Sequence, residues 1–396
     1  MLNGFVRWFL RFLVSSLSIV VWPVTYLLNI KRNRKCPPPV NPILFNSATT
    51  LAMMIRNRQI TSEEVVEAYI ERCKEVNPFL NAVVEPRYDI ALKEARCIDK
   101  MIASNERTPE ELAKEYPLLG LPMTVKESLA LEGMSNDCGT VYPYRNPAKK
   151  DADIVRLARA AGAIPIAVTN TPQLCMNWET YNNVTGLTMN PYDQKRTTGG
   201  SSGGESALIA SAASLMGVGS DIAGSLRLPP MFNGIFGHKP TPKLLSIQGH
   251  VPDCLDSEFE EYFALGPITR YAEDLTLLLK VLKQPNGPDV PLDKPVRIKI
   301  YYKALSDDAV LLFPTFPYPA HLHYRIFYKF LNCGYLTIFN ALGLPATACP
   351  LGLTENGLPV GIQIVANKCN DHLTIAVAKE FEKAFGGWSP MNHSPS

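Results

Sequence analysis

Gly199-Gly200-Ser201-Ser202-Gly203-Gly204 is the densest signal in the chain, and the apolar run Ala207 to Leu215 follows it at once. A Gly/Ser tract of this kind reads as a flexible linker when it joins two domains. Here it leads straight into what should be a tightly packed helix of small residues, so it belongs to a folded core. A phosphate-binding loop would need Gly-Lys-Ser/Thr after its glycines, and the chain has no Gly-Lys dipeptide. Gly199 to Gly203 also satisfies G-x-S-x-G, the elbow of α/β-hydrolases, with Ser201 as nucleophile. That motif must follow an apolar strand, and Asp193-Gln194-Lys195-Arg196-Thr197-Thr198 cannot be one. A second signal lies 24 residues on: Gly219-Ser220-Asp221-Ile222-Ala223-Gly224-Ser225-Leu226-Arg227-Leu228-Pro229. Small residues ahead of Ser225 let backbone N–H groups converge on one point, the geometry an oxyanion hole requires. The third signal is Lys126, which ends the apolar run Leu121-Pro122-Met123-Thr124-Val125.

Working outward, helical and strand-like segments alternate. Thr61 and Glu64 form a capping box, and Val66, Tyr69, Ile70 and Cys73 line one helix face behind it. Helices are predicted over Ala48 to Asn57, Asp89 to Met101 and Ala152 to Ala161, and strands over Asn81 to Val84, Leu121 to Lys126 and Ala163 to Thr169. Leu344 to Pro350 and Leu358 to Ala366 flank Asn356-Gly357, a hairpin signal. A helix over His372 to Phe385 follows, with Asp371 as N-cap and Gly386 as C-cap. Val296 to Tyr302 reads as a further strand. The pattern predicts an α/β fold with a buried sheet.

Composition narrows the function. The chain has 396 residues, 46% of them apolar, and 33 scattered prolines. Its 39 basic and 37 acidic side chains leave a charge of +2, which argues against a nucleic-acid binder. Nine cysteines without a C-x-x-C read as thiols in a reducing compartment. His321 and His323 lack a third ligand at zinc-like spacing and read as packing or surface residues. Sequons at Asn183 and Asn392 matter only on the luminal side. Phe12 to Leu28 is uncharged, with Arg7 and Arg11 before it and Lys31, Arg32, Arg34 and Lys35 after. It reads as a single-pass membrane anchor, with a signal peptide and an interfacial helix as rivals. The larger basic cluster on its C-terminal side places the rest of the chain in the cytosol. Residues 1–36 then form the anchor segment, and Pro37 to Pro42 a linker.

The three signals together, with Gly234-Ile235-Phe236-Gly237-His238-Lys239-Pro240, Arg270-Tyr271-Ala272-Glu273-Asp274-Leu275 and Phe385-Gly386-Gly387-Trp388, resemble the amidase signature family. Within it the likeness is to the membrane-anchored fatty-acid amide hydrolases of type 2. The resemblance implies one α/β domain over 37–396, a mixed twisted sheet with helices on both faces, beside the N-terminal hydrophobic helix. It implies a Ser-Ser-Lys triad, with Ser225 as the nucleophile that forms an acyl-enzyme, Ser201 as the bridge and neutral Lys126 as general base. The N–H groups of Ile222, Ala223, Gly224 and Ser225 would form the oxyanion hole, and Cys175, Met176 and Trp178 would line the acyl channel. No metal or organic cofactor is implied. The substrate would be a lipid amide drawn from the membrane, with homodimerisation through apolar surface an open expectation.

Three positions depart from the family pattern. Ala223 stands for a usual glycine, Pro230 for a small residue, and a long helical segment expected after Tyr302 is missing near 303–309. A shortened splice product and a genuinely shorter protein both fit. The remaining alternatives are an amidase for small or aromatic amides and an inactive, truncated membrane protein.

Overall fold

The computed structural model describes residues 4–32, 34–142, 146–253, 256, 258–294, 296 and 309–391. The strands are β1 Val83–Pro86, β2 Pro122–Lys126, β3 Ile164–Thr169, β4 Tyr181–Asn182, β5 Gly186–Leu187 and β6 Met216–Asp221. β7 Phe236–Lys239, β8 Ala264–Thr269, β9 Val310–Pro314, β10 Ala346–Leu353 and β11 Pro359–Ala366 complete them. Nine form one sheet in the order β1-β3-β2-β6-β8-β7-β10-β11-β9, while β4 and β5 pair apart. β2 runs parallel to β3 and β6. The other pairings in that sheet are antiparallel.

Strands β2, β3, β6, β7 and β8 are buried along their whole length. That requires cover on both faces. Side-chain alternation shows the two layers. On β6, a Cβ at Gly217 would run into Glu205 of the helix Gly203–Ala210, so that helix covers the Gly217 face. On β10, Thr347 bonds Thr374 of the helix Asp371–Phe385, while Ala346 packs with Phe339 of the helix Gly334–Ala341. These two helices therefore lie on opposite faces.

The predicted helices appear as Ala48–Arg56, Tyr88–Ala103 and Asp153–Ala160. The Thr61–Glu64 capping box is present and starts the helix Ser62–Leu80. Val66, Tyr69, Ile70 and Cys73 are buried on its inner face. Two expectations need correction. The helix expected over Ala207 to Leu215 begins at Gly203 and stops at Ala210, because Ala212 takes a left-handed φ of 60°. Asp371 does not cap the C-terminal helix; it is the first helical residue, after Asn370. Its carboxylate is buried and accepts from Thr241 N–H at 2.8 Å and Thr241 Oγ1 at 2.6 Å, with His238 Nε2 at 3.0 Å. A buried carboxylate gains more from those partners than from an exposed cap. The strand expected over Val296 to Tyr302, and the shortened segment near 303–309, lie almost wholly outside the described residues, as do Cys254 and Asn392.

The N-terminal helix runs Gly4–Asn29. Its stretch Phe12–Asn29, with mean hydropathy 1.6, is long and apolar enough to cross a membrane by length and composition. Its end docks on the domain: Thr25 and Asn29 are buried, Asn29 Nδ2 donates to His323 O at 3.5 Å, and Arg32 donates to Tyr324 Oη at 3.1 Å. The proline stretch that follows is held rather than loose. Arg72 donates to Pro37 O at 2.6 Å and Pro38 O at 3.3 Å.

Candidate active site

Lys126, Ser201 and Ser225 meet, although three separate elements carry them. Parallel pairing of β2 with β6 brings the C-terminal end of β2, and so Lys126, beside the loop that leaves β6. Ser201 sits just ahead of the helix Gly203–Ala210. Ser225 lies in the turn between β6 and the helix Leu228–Asn233. Lys126 Nζ donates to Ser201 Oγ at 2.7 Å, and Ser201 Oγ donates to Ser225 Oγ at 3.0 Å. Ser201 N–H also donates to Ser225 Oγ at 2.9 Å. All three side chains are buried. The glycines around Ser201 serve close approach rather than flexibility: a Cβ on Gly200 would lie 2.5 Å from Asn177 O and 2.8 Å from the Trp178 carbonyl carbon.

The loop ahead of Ser225 is fixed by Asp221. One carboxylate oxygen accepts the Gly224 N–H at 2.7 Å and the other the Leu226 N–H at 3.0 Å. Gly224 has φ +106°, and a side chain there would collide with Leu336, so only glycine fits. Its N–H points into the loop and is not offered to a substrate. Of the four N–H groups expected to face an oxyanion, this one has an internal partner in Asp221. The opposite side of the loop is held by Trp178, whose Nε1–H donates to Ala223 O at 2.9 Å. Trp178 is buried against Leu228, Phe232 and Leu336, so it supports the loop from behind; Met176 is 80% exposed.

Arg227 completes this support, fully buried and paired with Asp221 at 3.0 Å. It also donates to Leu336 O, Gln363 Oε1 and Asn340 Oδ1. Burial alone would raise the Asp221 carboxyl, but the Arg227 charge and its hydrogen bond outweigh that and hold it at about 2. Glu205 is the contrary case. It is buried behind Lys126, accepts from Thr124 Oγ1 at 2.7 Å and Thr169 Oγ1 at 2.6 Å, and burial raises it to about 7.

Two further residues reach the lysine. Lys126 Nζ donates to Ser220 Oγ at 2.9 Å, and Ser220 Oγ lies 3.1 Å from His250 Nε2. His250 Nδ1 faces Pro252 O at 3.1 Å. A carbonyl only accepts, so Nδ1 carries the proton, and in the neutral ring Nε2 accepts from Ser220. The sequence reading missed both. Ser220 stood inside the quoted motif without a role, and an isolated histidine carries no spacing signal. Asp221 and Arg227 were likewise visible in the motif and unassigned, and Glu205 directly follows the Gly/Ser loop. Cys175 lies in the wall of the site, with Thr171 Oγ1 at 3.5 Å and Cys138 Sγ at 3.6 Å. His321 and His323 are both buried, and His323 Nδ1 is 2.6 Å from Glu179 Oε1.

Comparison with known proteins agrees with this architecture. The family model described as Amidase matches residues 64–306 and 291–375. Fatty-acid amide hydrolase 2-B of Danio rerio is 35% identical over 489 aligned positions, covering 90% of this chain and 93% of that protein. Fatty-acid amide hydrolase 2 of Homo sapiens is 34% identical, covering 89% and 92%. Among solved structures, a fatty acid amide hydrolase superposes with a TM-score of 0.74 at 21% identity, covering 88% of this chain and 87% of that one.

Proposed function

The chain belongs to the amidase signature family, and from that premise we propose that it cleaves fatty-acid amides to fatty acid and amine through an acyl-enzyme on Ser225. The observation that carries the reading is the unbroken relay of Lys126, Ser201 and Ser225, at 2.7 Å and 3.0 Å, closed off from solvent. With neutral Lys126 the relay runs inward. Ser201 passes its proton to Nζ and takes the proton of Ser225, whose oxygen attacks the carbonyl carbon. Returned through Ser201, the same proton reaches the leaving nitrogen. Water then enters the second half of the cycle by the same relay. The N–H groups of Ile222, Ala223 and Ser225 take the developing oxyanion, and each such donor is worth about 10²-fold in rate.

The lipid half of the proposal rests on other features. Similar proteins along nearly their whole length bear the name fatty-acid amide hydrolase 2. Exposed apolar side chains also flank the catalytic loop: Leu174, Met176 and Ile222, and Phe330, which lies 5.4 Å from the Trp178 ring. The Phe12–Asn29 stretch is read as a single-pass anchor of an intracellular membrane, with the catalytic domain in the cytosol. Apolar surface also makes a homodimer a proposal.

The shortening favours a second reading. The alignment to the Danio rerio protein spans 489 positions, 93 more than the 396 residues of this chain. The two family matches overlap at 291–306, around the expected break. A shortened acyl channel would favour small or aromatic amides. Fluorophosphonate labelling with peptide mapping, followed by hydrolysis of long-chain, short-chain and aromatic amides, decides among the readings. An adduct on Ser225 that disappears in Lys126→Met, with long-chain amides leading, is expected. An adduct with small amides leading selects the second reading. Absence of any adduct on folded protein overturns both.

A further inference from the structure

We infer that Cys138 and Cys175 are a reversible oxidation site that closes as a disulfide across the wall of the active site. Their sulfurs are 3.6 Å apart, and a disulfide needs them about 1.5 Å closer. The backbones are already tied, since Leu174 N–H donates to Cys138 O at 2.9 Å. Both cysteines hold left-handed φ values, 51° and 60°, uncommon for residues other than glycine. They differ in access: Cys138 is fully buried and Cys175 is half-buried.

The surroundings assign the roles. Cys175 is the sulfur open to a peroxide, and its hydrogen bond with Cys138 favours its thiolate against the effect of burial. Cys138 is pushed the other way, first by its hydrogen bond to Cys175 and then by burial. Cys175 is thus the attacking thiolate and Cys138 the resolving thiol. The oxidant is a hydroperoxide. Cys175 sulfur attacks the terminal oxygen, the O–O bond breaks, and a sulfenic acid forms while the other oxygen leaves as water or alcohol. Cys138 sulfur then displaces that hydroxyl, which leaves as water with the Cys138 proton, so two thiols have given two electrons to the peroxide. A dithiol reverses the step.

The closed bridge has a route to the chemistry. Thr171 Oγ1 contacts Cys175 Sγ and donates to Ser201 O at 3.0 Å. The Cys138 segment is held by Glu127, which follows Lys126 and accepts from Gly139 N–H at 2.8 Å. Drawing the sulfurs together therefore pulls on the backbone of both Ser201 and Lys126. The effect on catalysis rests on the proposed hydrolase reading; the bridge itself does not.

The test treats the purified full chain with hydrogen peroxide, maps its peptides, and measures fluorophosphonate labelling of Ser225 before and after dithiothreitol. Expected are a linked Cys138–Cys175 peptide and slower labelling by about 10²-fold, the scale of an ångström-level misplacement, both reversed by the dithiol. Cys138→Ser should form no link and leave a trappable sulfenic acid on Cys175. Peroxide that oxidises the exposed Cys97 but yields no linked peptide overturns the inference, as does a linked protein that labels at the unlinked rate. If Ser225 never labels, the hydrolase reading fails while the peptide map still decides the pair.

Discussion

At the scale of single residues, His250 offers a sharp test of the lysine's surroundings. It touches Ser220, not the nucleophile, so it acts on the position of Lys126 through that hydroxyl. His250→Ala should slow Ser225 labelling about tenfold, a few-tenths-ångström effect on a proton relay, with the Michaelis constant little changed; His250→Gln, able to keep the contact with Ser220, should recover most of it. Glu205 gives a stability prediction. Its folded value of about 7 lies above its ordinary 4.5. The buried carboxyl is protonated in both states at low pH, and the folded state resists its ionisation as pH rises toward 7. Stability from this group is therefore complete below about 4.5 and lost through 7. Glu205→Gln should remove a fall on the order of 2 kcal/mol between pH 5 and pH 8, read as a smaller change in melting temperature than the wild type shows. That Lys126, Ser201 and Ser225 meet could be expected from sequence through the family resemblance, because each lies in one of the motifs that carry it. Ser220 and His250 could not, since their partnership depends on how the segment after β7 folds back over β6. The bond from the Gly224 N–H to Asp221 was hidden for a related reason, since it depends on the curl of the loop after β6.

Among elements, the buried carboxylates do work that local signals hide. Asp274 lies in the helix Ala272–Leu282, yet it accepts from the Ala48 and Thr49 N–H groups at 2.9 and 3.0 Å and so caps a helix far away in sequence. Ser47 holds the same helix start through Thr50 N–H. Asp274→Ala should lower the unfolding free energy by about 2 kcal/mol, because two helix-terminal donors and the Thr49 hydroxyl lose a buried partner; chemical denaturation checks it. Asp371 shows the same principle. From sequence it stands where an N-cap should, whereas its carboxylate joins β7 to the final helix through His238 and Thr241. Local capping rules succeed where the cap is exposed, as at Thr61, and fail where a more deeply buried partner competes. The positions of β2, β3, β10 and β11 were legible as apolar runs, whereas β6, β7 and β8, broken by glycine and polar residues, were not, and the order of nine strands was beyond a reading of local pattern.

For the molecule as a whole, β9 is the exposed end of the sheet. Leu311 and Leu312 are open to solvent, and beside them lies a groove of about 320 Å³ lined by Leu312, Pro314, Leu351, Ile362, Phe381 and Phe385. An apolar edge strand invites pairing with another chain. Leu312→Lys should shift the protein toward a monomer by light scattering in dilute detergent and leave Ser225 labelling unchanged. The N-terminal helix was legible as an apolar run, but its docking was not. On the spanning reading, the 18 residues from Phe12 to Asn29 rise about 27 Å, slightly less than the roughly 30 Å of a hydrocarbon core. The final turn is already occupied, with Thr25 and Asn29 inside the protein. No stalk is left over, so the domain must rest flush on the bilayer surface, with Phe327, Phe330 and Leu331 turned outward beside the helix end. An enzyme without clearance searches in two dimensions. Its turnover would follow the mole fraction of amide among the lipids, and diluting the substrate with inert lipid would slow it even when the amount of substrate per volume stays the same.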